Sequence, residues 1–165
     1  MKSITLKNSK KLVATIAFLL IATPFFAQSA FDKFEGQDDV TALIVNRKMF
    51  ELMSKVKVDA TDKEAQRYMN LIKKLDNLRV FTTASSKVTT DLKLTADKYV
   101  KSIGLEELMR VNDGGKNIKI LVKSGSSDSQ IKELLMFIEG NSKTNQTVLM
   151  SLTGDFDLNE LSILT

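Results

Sequence analysis

Leu105–Lys123 reads LEELMRVNDGGKNIKILVK. Two apolar-rich runs, Leu105–Asn112 and Asn117–Lys123, flank Asp113-Gly114-Gly115-Lys116. A two-residue hairpin turn needs positive φ at its centre, which glycine adopts without steric cost. The segment therefore predicts a β-hairpin. In its second arm Ile118, Ile120 and Val122 alternate with Lys119, Leu121 and Lys123, the period of a strand with one lysine-bearing, solvated face.

On the C-terminal side, residues 131–139 fit two templates. Ile131, Leu134, Leu135 and Ile138 fall at helical spacing, and Leu134–Ile138 equally reads as a buried strand. A polar loop, 140–146, and the β-prone Thr147–Thr153 favour a second hairpin. Asp157 and Glu160 form a capping box before Leu158, Leu161 and Leu164, a closing helical turn.

On the N-terminal side the period changes to that of helices. Asn46 can cap a short helix over Arg47–Ser54, after a short, mostly buried strand at Val40–Val45. Thr61 and Glu64 read as a capping box for a helix whose face is Ala65, Tyr68, Met69, Ile72 and Leu75, with Asn77 at its exit. A strand follows at Leu78–Thr83 with Val80 and Phe81 inward. Thr90–Ile103 is a third helix, carrying Leu92, Ala96, Tyr99, Val100 and Ile103 as its stripe and Gly104 at its end. Phe31 and Phe34 sit in a polar arm before all of these. Helices early and strands late predict an α+β class: a single two-layer domain, a mostly antiparallel sheet with helices packed on one face.

The first 27 residues stand apart. Lys2, Lys7, Lys10 and Lys11 precede an apolar run, Leu12–Phe26, and small Ala27 closes it. That is the pattern of a cleaved secretory signal, too short for a membrane span of about 20 apolar residues. Cleavage between Ala27 and Gln28 is expected, with a cut after Ala30 as the alternative. Residues 28–165 then form one domain, periplasmic or extracellular, with no integral membrane span after processing. Of the chain's 24 Lys and Arg, four leave with the leader, and the rest balance 20 Asp and Glu. A nucleic-acid surface needs a basic stripe, and the sequence has no run longer than Arg47-Lys48 or Lys73-Lys74, so no nucleic-acid partner is expected.

The chain has no Cys and no His. The commonest zinc ligands, thiolate nucleophiles and His-based triads are therefore excluded. Acid–base chemistry would fall to Asp, Glu, Lys or Tyr. No metal, cofactor or catalytic residue emerges from the motifs. Asp155, Asp157, Asn159 and Glu160 resemble a calcium loop, but Glu160 stands where the EF-hand needs Gly, and the twelfth position lies beyond Thr165. A helix cap is the better reading. Asp113–Lys116 lacks the spacing of a phosphate loop. Ser85-Ser86-Lys87 and Ser126–Ser129 do not match a serine nucleophile motif and read as loops. Glu106-Glu107, adjacent on a strand, point to opposite faces. Met49, Phe50, Met53, Met69, Met109, Met136 and Phe137 could line an adaptable groove or simply fill a core.

Phe31-Asp32-Lys33-Phe34, Asp39–Phe50, Leu134-Leu135-Met136 and Leu149–Gly154 with Leu158 and Leu161 resemble the domain of unknown function 4252 family of small exported Bacteroidetes proteins. The likeness covers nearly the whole mature chain but rests on apolar patterns. It implies an envelope protein with no assigned activity and a regulatory role, and carries no site residue over. Members of that family often start at a lipid-anchored cysteine, which this chain lacks. The expected function is a non-catalytic periplasmic binding or interaction module with an unknown envelope protein partner. Its working surface is expected at the late hairpins around Lys119 and Lys123, or in a Met/Phe groove. The alternatives are a carboxylate-dependent hydrolase of envelope polymers and a carrier of a small apolar ligand.

Overall fold

A computed structural model describes residues 30–59, 61–127, 129–140 and 146–161. The expected leader, its cleavage point at Ala27 and Gln28, and Leu164 lie outside the described residues. After a 3-10 turn at Asp32–Phe34 the elements run β1 (Thr41–Asn46), α1 (Arg47–Met53), α2 (Lys63–Ile72), β2 (Leu75–Thr83), α3 (Ser86–Ile103), β3 (Glu106–Asp113), β4 (Lys116–Ser124), β5 (Gln130–Glu139), β6 (Thr147–Asp157) and α4 (Leu158–Leu161). The six strands form one antiparallel sheet in the order β1-β2-β6-β5-β4-β3. The domain is α+β, and residues 131–139 are strand.

The Gly114-Gly115 turn closes the β3–β4 hairpin with both glycines at positive φ, 53° and 89°. Asn46 caps α1, its side chain accepting from the Met49 amide. Asp157 and Glu160 form the expected box: the Asp157 carboxylate accepts from the Asn159 amide, and Glu160 accepts from the Asp157 amide.

The helices cover both faces of the sheet, α3 one and α1 with α2 the other, rather than the single face expected, and four local details also differ from the sequence expectation. Asp62 rather than Thr61 caps α2, accepting from Ala65, because Thr61 turns back to bond Asp59. α2 ends at Ile72, and Asn77 belongs to β2. The chain is drawn into the sheet there, where the Lys74 carbonyl accepts from the Asp155 amide of β6. α3 starts four residues earlier than its apolar stripe suggests. β1 is exposed rather than buried, with Leu43 at 54% and Ile44 at 40% exposure, because it lies at the sheet edge, where only Val45 packs against the core.

The pleat sorts side chains onto two faces. Phe81, Leu149 and Phe137 are register partners across β2, β6 and β5, and Leu135 pairs with Leu121 across β5 and β4. α3 covers this face with Val88, Leu92, Ala96 and Tyr99, joined by Phe31 and Phe34 from the 3-10 turn. On the opposite face the row Leu78, Leu152, Leu134, Val122 is closed by Phe50 of α1 and by Met69, Leu71 and Ile72 of α2. The next row on that face, Leu43–Val80–Met150–Met136–Ile120–Met109, crosses all six strands, and its members are half-buried or exposed. The Met and Phe residues are therefore shared between two packed layers and an open strip, and do not converge on one groove.

Gly154 lies where the backbone of β6 closely approaches the start of β2. A Cβ there would lie 2.3 Å from the Lys74 carbonyl oxygen and 3.0 Å from the Leu75 Cα. Those atoms are main chain, so they cannot swing aside. Gly154→Ala is expected to destabilise the fold by about 1–3 kcal/mol, the range for overpacking a filled site. Denaturant titration checks this, and an unchanged midpoint would refute the close approach.

Candidate functional site: a cavity under the end of α3

The main cavity, about 430 Å³, lies beneath the last turns of α3. Its floor is one row of the sheet: Asn77, Thr153, Glu133 and Lys123 are successive register partners across β2, β6, β5 and β4. Arg79 and Ser151 stand in the adjoining row. Phe31, Tyr99 and Ile103 form its apolar side. The ladder is irregular here, shifting between Leu75 and Asn77 in β2 and between Ile131 and Glu133 in β5. Asp76, the extra residue of β2 against β6, and Lys132, the extra residue of β5 against β4, both line the cavity. A bulge re-aims side chains that regular pleating would send elsewhere.

Glu133 is the chemical centre. It is only 5% exposed and accepts two hydrogen bonds, from the Tyr99 hydroxyl to Oε2 at 2.7 Å and from the Ser151 hydroxyl to Oε1 at 2.8 Å. Burial raises its pKa above the ordinary carboxyl value, and the bonds from Tyr99 and Ser151 oppose that rise. Burial also raises the Tyr99 phenol, helped by the nearby Glu133 charge, so Tyr99 stays protonated at any physiological pH. Phe31 holds the Tyr99 ring edge-on, centroids 5.0 Å apart.

The other charged groups have partners at the rim. Arg79 binds Asp32 through Nη1 at 2.5 Å, with Glu35 at 3.8 Å, which ties the 3-10 turn to β2. Lys123 donates to the Ile103 carbonyl at the end of α3. Lys132 pairs with Asp155 at 2.9 Å, and Asp76 with Arg47 at 2.7 Å. Asn77 differs from these groups: its Oδ1 is buried and has no hydrogen-bond partner among the described residues. A buried acceptor left open costs about 1–3 kcal/mol.

Of these residues the sequence pointed only to Lys123, as part of an expected working surface on the late hairpins. Tyr99 was legible as core, and Lys123 as a solvated strand residue. The lysine-bearing face of β4 is in fact the face that α3 covers, with Lys119 half-buried and Lys123 at the cavity rim. The available signal was the pleat, since Glu133 shares a face with Leu135 and Phe137. The motifs that did stand out lie elsewhere. Asp155 and Asp157 are held below the usual carboxylate range, Asp155 chiefly by the Lys132 side chain and Asp157 chiefly by the Asn159 amide. No cluster of three potential metal ligands occurs among the described residues. Ser126 bonds Gln130 and Ser129 bonds Asp157, both as loop braces. Glu107 is paired with Arg110 on edge strand β3.

The Glu133 shift fixes the sign of a pH effect. Its folded pKa is raised, so its contribution to stability is whole below the ordinary value of 4.5 and falls as pH climbs through the raised value. Glu133→Gln removes that titration while keeping one acceptor oxygen for one of the two hydroxyls and turning the amide NH2 as a donor to the other. The stability difference between wild type and Glu133→Gln is expected to move in favour of the variant as pH rises from 4.5 to 7. Glu133→Ala, which strands both hydroxyls, is expected to cost about 2–4 kcal/mol. Chemical denaturation across pH checks both, and a pH-independent difference for Glu133→Gln would contradict the raised carboxyl.

No curated protein and no solved structure matches the chain. A match to one family spans residues 34–164, from the buried Phe34 of the 3-10 turn through every strand of the sheet. On that match the chain belongs to the family described as Domain of unknown function (DUF4252).

Proposed function

We propose that the protein is a non-catalytic binding module of the cell envelope, exported by its N-terminal leader, whose cavity takes a small ligand with an apolar body and hydrogen-bond donors, of the size of a sugar. The cavity volume lies within the usual range of small-molecule sites, roughly 300–1,000 Å³. Its two aromatic rings suit an apolar ligand face, and its floor offers acceptors. The observation that carries the reading is the Asn77 Oδ1, a buried acceptor without a partner among the described residues. Such groups are rare in folded proteins and call for a donor. An envelope location is supported by the basic, apolar and small-residue order of residues 1–27. No described helix is long and apolar enough to cross a membrane.

A carboxylate-dependent hydrolase has one observation in its favour. Asp76 and Glu133 line the same cavity in unlike environments, Asp76 half-exposed and ion-paired with Arg47, Glu133 buried with a raised pKa. Environments that separate two carboxyls suit acid and base roles. Against it, both oxygens of Glu133 already accept bonds within the protein.

The test is nuclear magnetic resonance titration with a panel of mono- and disaccharides and peptidoglycan fragments. A binder is expected to shift resonances of Tyr99, Asn77 and Ser151, and Asn77→Leu to weaken it by about tenfold, the worth of one buried hydrogen bond. Shifts confined to other surfaces, or an unaffected Asn77→Leu variant, would defeat the binding reading. Release of reducing ends that is lost in Glu133→Gln would establish the hydrolase instead.

A further inference from the structure

The two edges of the sheet are built differently. β3 carries Glu106, Glu107, Arg110 and Asp113, a Glu107–Arg110 ion pair and a register shift between Glu107 and Met109. Charges and bulges are the usual means by which an edge strand is kept from pairing with another chain. β1 has none of these. Thr41-Ala42-Leu43-Ile44-Val45-Asn46 is free of charge and proline, and five of its six residues are exposed, Val45 alone packing against the core beside α1. The main-chain bonds found for Thr41–Val45 are those of the β2 ladder.

The flanks of this strand are charged in opposite senses. Exposed Asp38 and Asp39 precede it, and exposed Arg47 and Lys48 follow it. We propose that β1 pairs antiparallel with β1 of a second copy of this chain, forming a two-fold dimer with one continuous sheet. An axis perpendicular to the sheet keeps each residue on its own face, so partners must differ by an even number of positions. With Leu43 on the axis, Thr41 stands opposite Val45 of the second copy. Beyond the strand ends, the acidic turn at Asp38 and Asp39 then lies towards the start of the second copy's α1, which carries Arg47 and Lys48. Each contact occurs twice, as two-fold symmetry requires. Parallel pairing would instead set acid beside acid and base beside base. The pairing also joins the apolar rows that end at Leu43, so the strip Met109–Ile120–Met136–Met150–Val80–Leu43 continues into its copy.

Sedimentation equilibrium of the mature protein is expected to show a concentration-dependent dimer, with the β1 amides slower to exchange hydrogen at high concentration. Leu43→Lys places like charges opposite each other on the axis and is expected to give a monomer. Leu43 is 54% exposed, so the thermal midpoint of that monomer should stay near wild type. Two charge variants test the register without touching the strand. Asp38→Lys/Asp39→Lys makes both flanks basic, and Arg47→Glu/Lys48→Glu makes both acidic. Each alone is expected to dimerise at least about tenfold more weakly than wild type, and an equimolar mixture to form the heterodimer. A wild type that is monomeric at every concentration overturns the proposal, as does a dimer indifferent to Leu43→Lys. Charge variants that fail to complement each other overturn the antiparallel register. Protection of β1 only upon addition of an extended peptide would assign the edge to a foreign strand and refute the second copy.

Discussion

The hydrogen bond from Tyr99 to Glu133 is the buried directional contact that seats α3 on the sheet. Thr89 to Thr147, Lys93 to Glu139 and Lys123 to the Ile103 carbonyl add part-buried or exposed polar contacts; the rest of the interface is apolar, and apolar contact is indifferent to small slides and rotations. A hydroxyl that must meet a carboxyl oxygen at 2.7 Å is not indifferent. With Ser151 engaging the other oxygen, one side chain of β5 binds a helix above and a neighbouring strand beside it. The arrangement fixes where the last turns of α3 lie over the sheet, before Gly104 ends the helix, and so where the space beneath them opens. The carboxyl that specifies the packing is also the group whose burial is least favourable when charged. The cavity therefore sits where the fold is most constrained in geometry and most sensitive to proton concentration.

The bulges act together with this contact. Asp76 is extra in β2 against β6 and Lys132 is extra in β5 against β4, and both line the same space. Without them the polar row at the floor would be flanked by regular pleat, and those two charges would face elsewhere. Gly154 belongs to the same region, where the backbone of β6 comes up against Lys74 and Leu75. Irregular backbone at one end of a regular sheet is a common setting for a binding site, because the regular part supplies rigidity and the irregular part supplies shape.

Local chemistry explains what was legible in the sequence. The Gly114-Gly115 turn, the Asn46 cap and the Asp157–Glu160 box each depend on a few neighbouring residues, and each is present as read. The α3 stripe and the alternation in β4 were legible for the same reason. Position in the sheet was not, because it is set by pairings far apart in sequence. Leu43-Ile44-Val45 looks like an interior strand by composition and is an edge strand by topology. Asn77 reads as a helix exit only if one cannot see β6 drawing Lys74 into the ladder. Glu133 was invisible while residues 131–139 remained between helix and strand, since its face follows from that choice. The bulges had no sequence signal that we recognise, and without them Asp76 and Lys132 could not be placed.

The contrast between the two outer strands has a consequence for growth. A sheet with two adhesive borders can add copies without end and becomes a fibre. Here the border formed by β3 is charged and kinked, so only one border of each molecule can accept a neighbour. Association through the other uses up that single adhesive border on both copies, and no further site is left. The asymmetry acts as a chain terminator, allowing an apolar strand to remain open to contact without committing the protein to polymerisation.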